Sequence, residues 1–93
     1  MLKRADSAVN YVNFVLNPFQ KLQSLVVSSF EASELSECTL ECLANQNCYS
    51  VNFGAAKNGG GMHPCELLRG DMFKDNETLI TDEDFHHYNI KVS

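Results

Sequence analysis

Four cysteines, at positions 38, 42, 48 and 65, constrain this chain more than any other feature. Three fall in Cys38-Thr-Leu-Glu-Cys42-Leu-Ala-Asn-Gln-Asn-Cys48-Tyr-Ser-Val-Asn-Phe53, and the fourth follows a glycine-rich stretch in His63-Pro-Cys65-Glu-Leu-Leu68. Sulfurs at these spacings can be crosslinks, metal ligands or redox groups. An even count permits two disulfides in three complete pairings. Joining Cys38 to Cys42 would bridge successive turns of one helix, where Cβ atoms lie ~5–6 Å apart. A disulfide wants them ~3.8 Å apart, so that pairing distorts the helix. The other two pairings tie the helix to strands, and spacing alone leaves both open. Such bridges matter here because 93 residues build a single domain with a marginal core. At roughly 2–4 kcal/mol each, they decide folding for a domain stable by ~5–15 kcal/mol.

The competing sulfur chemistries fit less well. Cys38-x-x-x-Cys42 has a spacing compatible with half of a structural zinc site. Cys48 and Cys65 supply no second knuckle, although His63 beside Cys65 and the pair His86-His87 are further nitrogen donors. There is no Cys-x-x-Cys of the thioredoxin kind. His63 and Cys65 share a strand face without a third group to make a nucleophilic site, and Asp82-Glu83-Asp84 is expected in a solvated loop. No catalytic constellation and no cofactor loop is present, so the chain is not read as an enzyme. Gly59-Gly60-Gly61 lacks the Lys-Ser/Thr and helix start of a phosphate-binding loop.

In chain order, residues 1–8 form a polar tail and residues 9–93 the domain. Tyr11–Leu16 is dense in β-branched and aromatic residues and predicts a strand, which Asn17-Pro18 ends. Leu22–Phe30 predicts a second strand with imperfect alternation. A helix follows, with Ser33 as its cap and Glu31, Glu34 and Glu37 favouring its positive end. Leu35, Cys38 and Cys42 share one face of that helix, which should stop near Asn45. Cys48–Phe53 alternates as a strand, with Tyr49, Val51 and Phe53 on one face and Cys48, Ser50 and Asn52 on the other. Residues 54–62 are a loop, Cys65–Arg69 a short strand, and residues 70–84 a polar connection interrupted by Leu79-Ile80. Phe85–Val92 closes the chain as a strand, with His86, Tyr88 and Ile90 opposite Phe85, His87 and Asn89. Strands, one helix and more strands imply an α+β fold with an antiparallel sheet.

Charge removes several partner classes. The net formal charge is −5, and the seven basic residues are scattered. That distribution supplies no phosphate-tracking stripe and no polybasic membrane patch, so nucleic acid, heparin-like polyanions and anionic membranes are disfavoured. No apolar run approaches the ~20 residues that span a bilayer. Met1-Leu-Lys-Arg begins like a signal peptide, but Asp6, Asn10 and Asn13 interrupt the apolar region that should follow. Either the chain is a piece of a longer secreted protein, or its start is incomplete, or it is cytosolic. Asn76-Glu77-Thr78 is an N-glycosylation sequon that agrees with secretion.

Cys38-x-x-x-Cys42-x-x-x-x-x-Cys48-x-Ser50-x-Asn52-Phe53, then Cys65-Glu66-Leu67-Leu68 and a closing Phe85-x-x-Tyr88, resembles the PAN/apple domain family. The likeness runs from about residue 22 to residue 92. It implies a small antiparallel sheet of about five strands with one helix packed across it. It also implies the bridges Cys38–Cys65 and Cys42–Cys48, choosing between the two pairings left open above. No cysteine lies near either end, so the chain resembles the four-cysteine variants, whose terminal strands are less firmly tied. The family implies an extracellular module for protein–protein or protein–carbohydrate contacts, with no cofactor and no catalytic residues to carry over. The alternatives are a structural spacer without a ligand of its own, and a small zinc-binding protein. As contact residues, Tyr49, His86, His87 and Tyr88 suit both sugars and proteins, and the paired histidines suggest pH-sensitive binding. For Tyr49 and Tyr88, packing in a small core is the competing role.

Overall fold

A computed structural model describes residues 12–70 and 78–92. The elements are β1 (Val12–Asn17), β2 (Gln20–Gln23), β3 (Val26–Ala32), α1 (Leu35–Ala44), β4 (Ser50–Gly54), β5 (His63–Leu68), β6 (Thr78–Thr81) and β7 (Phe85–Val92). A five-stranded antiparallel sheet has the order β1-β7-β4-β5-β3, and β2 pairs with β6 in a second, two-stranded sheet. The fold is α+β, with one helix laid across the larger sheet.

Helix α1 packs on β3, β4 and β5. Its buried face is Cys38 and Cys42, with Leu35 beside them, as the i, i+3, i+7 spacing dictates. Both buried cysteines carry covalent links. Cys38 is bonded to Cys65 of β5, with Cα atoms 5.8 Å apart, and Cys42 to Cys48 just past the helix, with Cα atoms 5.2 Å apart. Around them Ala32, Val51, Phe53 and Leu67 complete an apolar core. The cap differs from the expectation. Glu34 occupies the N-cap without a side-chain cap bond, and Ser33 does not bond the first-turn amides through its hydroxyl. Instead Glu37 reaches back past the N-cap and accepts the Ser33 N–H at 2.6 Å. The helix ends at Ala44, and Asn45 then turns the chain by accepting the Asn47 N–H through its side chain.

Two strand assignments require correction. Residues 22–30 are not one strand. They divide at Ser24-Leu25 into the ends of β2 and β3, which belong to different sheets. The break is held by the Ser24 hydroxyl, which accepts the Gly70 N–H, and by the Leu25 carbonyl, which accepts the Arg69 N–H. The connection before β7 likewise contains a strand, β6, in which Leu79 pairs with Leu22 and Ile80 with Lys21. Smaller shifts place Cys48 in the turn before β4 and begin β5 at His63.

Sheet order explains why every residue of β4 is buried. It sits between β7 and β5, with α1 on one face and the β2–β6 layer on the other. At its end Gly54 is required, because a Cβ there would collide with the Pro64 ring. The tail at residues 1–8 and the sequon asparagine Asn76 lie outside the described residues.

Candidate functional site

Alternation on β7 sends its two adjacent histidines to opposite faces. His87 is fully buried. Its Nδ1 lies 3.2 Å from Asn52 Oδ1 and its Nε2 3.3 Å from Asn89 Oδ1. Asn52 is oriented unambiguously, because its Oδ1 accepts the Leu22 N–H at 2.9 Å while its Nδ2 donates to the Leu22 carbonyl at 3.0 Å. Asn52 thus mimics a strand partner for β2 and ties the small sheet to the large one. With Oδ1 fixed as acceptor, His87 Nδ1 carries a hydrogen toward it. His87 is therefore not the surface contact expected from the sequence. It belongs to a buried polar network, roofed by Leu22, that sequence reading did not isolate. At its edge Asn52 Nδ2 also reaches Glu66 Oε1, and Lys21 lies 3.8 Å from Glu66 and over the Phe85 ring.

The other three expected contacts share the helix-side face. Tyr88 stands opposite Leu16 of β1 and Val51 of β4, and His86 stands opposite Phe53. Tyr49 precedes β4 with the parity of Val51, and its carbonyl accepts the Ile90 N–H. This face is covered by α1 over β3, β4 and β5. Toward β7 and β1 it opens into a row in which Tyr49 is 40% exposed, Leu16 48% and Phe19 53%, with Ile90, Tyr88 and His86 half-buried beneath them. Tyr88 meets Phe53 edge to face at 6.5 Å, and burial pushes its phenol pKa above 10.0, so it stays neutral and can lie against apolar groups. His63 stacks on Phe53 at 4.6 Å, with Nδ1 2.9 Å from the Gly54 carbonyl.

Phe19 and Leu16 are the members of this row that sequence reading missed. The only signal was Asn17-Pro18, which marks a turn without saying that an aromatic ring is displayed on it. Phe19 has φ 54°, a left-handed conformation uncommon for a bulky residue. Its N–H donates to His86 Nδ1 at 2.8 Å, and its ring meets the imidazole edge-on at 4.6 Å.

Metal chemistry at the sulfurs has no ligand set, since all four are in S–S bonds. Among the described residues, no helix is long and apolar enough to cross a membrane. Among protein families, the sequence model described as "PAN domain" matches residues 11–91. No curated protein and no solved structure matches the chain.

Proposed function

The chain belongs to the PAN domain family, whose members are protein- or carbohydrate-binding modules, and from that premise we propose an extracellular recognition module within a larger secreted or cell-surface protein. The ligand is a protein or a glycan. The observation that carries this reading is the open row on the helix-side face: Tyr49, Leu16 and Phe19 exposed beside Tyr88 and His86. Aromatic rings with a polar tip, fixed on a rigid sheet, offer large contact area at low entropic cost. Two disulfides suit an oxidising compartment. The net charge of −5 turns the surface away from polyanions and toward neutral or basic ligands. Glycosylation at Asn76 is part of the same proposal, and intact-mass measurement on protein secreted from eukaryotic cells checks it.

The test is saturable binding of the disulfide-intact protein, displayed as a dimeric fusion, to arrays of glycans and of purified ectodomains. The double variant Phe19→Ala/Tyr49→Ala should lose at least tenfold in affinity for any hit, as expected when two aromatic anchors are truncated. Absence of any saturable hit, or hits indifferent to both substitutions, would sink this reading and leave a spacer domain.

A further inference from the structure

Phe19 holds a backbone conformation that glycine or asparagine normally occupies, and the restraints on it come from elsewhere in the fold. Its N–H donates to His86 Nδ1 at 2.8 Å, its carbonyl accepts the Asp82 N–H at 2.9 Å, and its ring rests edge-on against the imidazole. Two of these three restraints belong to one side chain. A ring nitrogen that accepts a hydrogen bond carries no proton, so His86 is neutral here with its hydrogen on Nε2. We propose that His86 is a positioning residue: its unprotonated Nδ1 holds Phe19 on display, and protonating that nitrogen in mildly acidic surroundings releases the ring.

Protonation turns the acceptor into a donor and sets N–H against N–H at hydrogen-bond distance. The turn at Asn17-Pro18-Phe19-Gln20 then loses the bond that offsets its unfavourable φ. The strands flanking β7, β1 and β4, carry no ionisable side chain. Among the described residues, the other titratable groups near this corner are Asp82, Glu83 and Asp84 in the turn before β7, and His87 and Tyr88 along β7. Beyond them stand Lys21, paired with Glu66 near Phe85, and His63 on the far side of Phe53. Imidazoles change charge between about pH 5 and 8, which places the response within the range met by secreted and endocytosed proteins. This inference deepens the recognition reading above and rests on it only for the claim that Phe19 touches ligand.

The experiment is a pH titration of isotope-labelled, disulfide-intact protein by NMR, following the three imidazoles and the Phe19 amide. The Phe19 amide should shift with the midpoint of His86, and its hydrogen exchange, corrected for intrinsic rate, should accelerate roughly five- to tenfold on the acid side, as expected for loss of one hydrogen bond. His86→Gln offers a non-titrating acceptor and should flatten the transition with the amide protected throughout. His86→Phe keeps a ring without an acceptor and should fix the acid-like state at every pH. A Phe19 amide that ignores the His86 titration, or still titrates in His86→Gln with the midpoint of His63 or His87, overturns the proposal. If the amide follows His86 but Phe19→Ala binds every array hit normally, the switch stands and the placement of Phe19 in the recognition surface falls.

Discussion

The two faces of the large sheet are held together by different physics. On the helix side, Cys38, Cys42, Cys48 and Cys65 join Val51, Phe53 and Leu67 in an apolar core with two covalent staples. On the opposite side the buried polar side chains are Ser50, Asn52, His87 and Asn89, with Leu22 and Leu68 buried among them, and order comes also from directional bonds such as the paired contacts of Asn52 with the Leu22 backbone. An apolar core tolerates repacking as long as volume is conserved, and a crosslink acts mainly on the unfolded chain. A buried amide network does neither, since each member left unsatisfied costs its full desolvation. The staples therefore supply much of the stability, while the polar face specifies where the second sheet sits.

Opening the disulfides of the stapled side should cost most. Loop-closure entropy for a separation of 27 residues makes Cys38–Cys65 worth ~3.5 kcal/mol. For a separation of 6, Cys42–Cys48 is worth ~2 kcal/mol on the same model. Urea denaturation of the two double Cys→Ser variants should rank them in that order. Equal losses would show that the unfolded chain is not the main site of action.

Asn52→Ala attacks the other face and comes next. It strands the Leu22 N–H and carbonyl and removes the His87 partner, for a loss of ~2–3 kcal/mol. Hydrogen exchange should then show β2 and β6 opening together while β4 and β5 stay protected. Uniform loss of protection would refute the division into two differently held faces. Lys21→Met tests the rim of that network, where the ion pair with Glu66 is partly exposed. Thermal unfolding should detect at most ~1 kcal/mol.

Tyr88 contributes least at neutral pH, where its phenol is uncharged folded or unfolded. Its folded pKa is raised by burial above 10.0. The stability tied to this shift is fully present below the unfolded value and is lost as pH rises through the folded one. Melting temperature should therefore fall above about pH 10, and Tyr88→Phe should flatten that part of the curve.

Much of the stapled side was legible in sequence, because its signals are local. Cysteine spacing placed one helix face, alternation placed Val51 and Phe53 together, and residue chemistry identified the helix end at Asn45. The polar side depended on what lies above it. Alternation separates His86 from His87, but only the β2–β6 layer decides that His87 is the one sealed away. That layer was hard to see, because the break at Ser24-Leu25 contains neither Gly nor Pro. Leu79-Ile80, for its part, is too short an apolar run to announce a strand. Phe19 was missed for a related reason: its left-handed backbone is imposed by His86 and Asp82, both more than sixty residues away in sequence, and no local preference encodes it.

The pairing of β1 with β7 has a mechanical consequence. These strands run antiparallel with Val12 beside Val92, so the points where flanking chain enters and leaves the domain sit side by side. Tension applied through neighbouring segments would load the ladder at that end and peel it one rung at a time, instead of shearing all rungs together. The domain should therefore yield at low force. Extension would then stop short, because Cys38–Cys65 spans the chain as an inextensible shunt and shields the segment between them from the pull. Within a chain of linked domains under tension it would act as a short spring with a built-in limit.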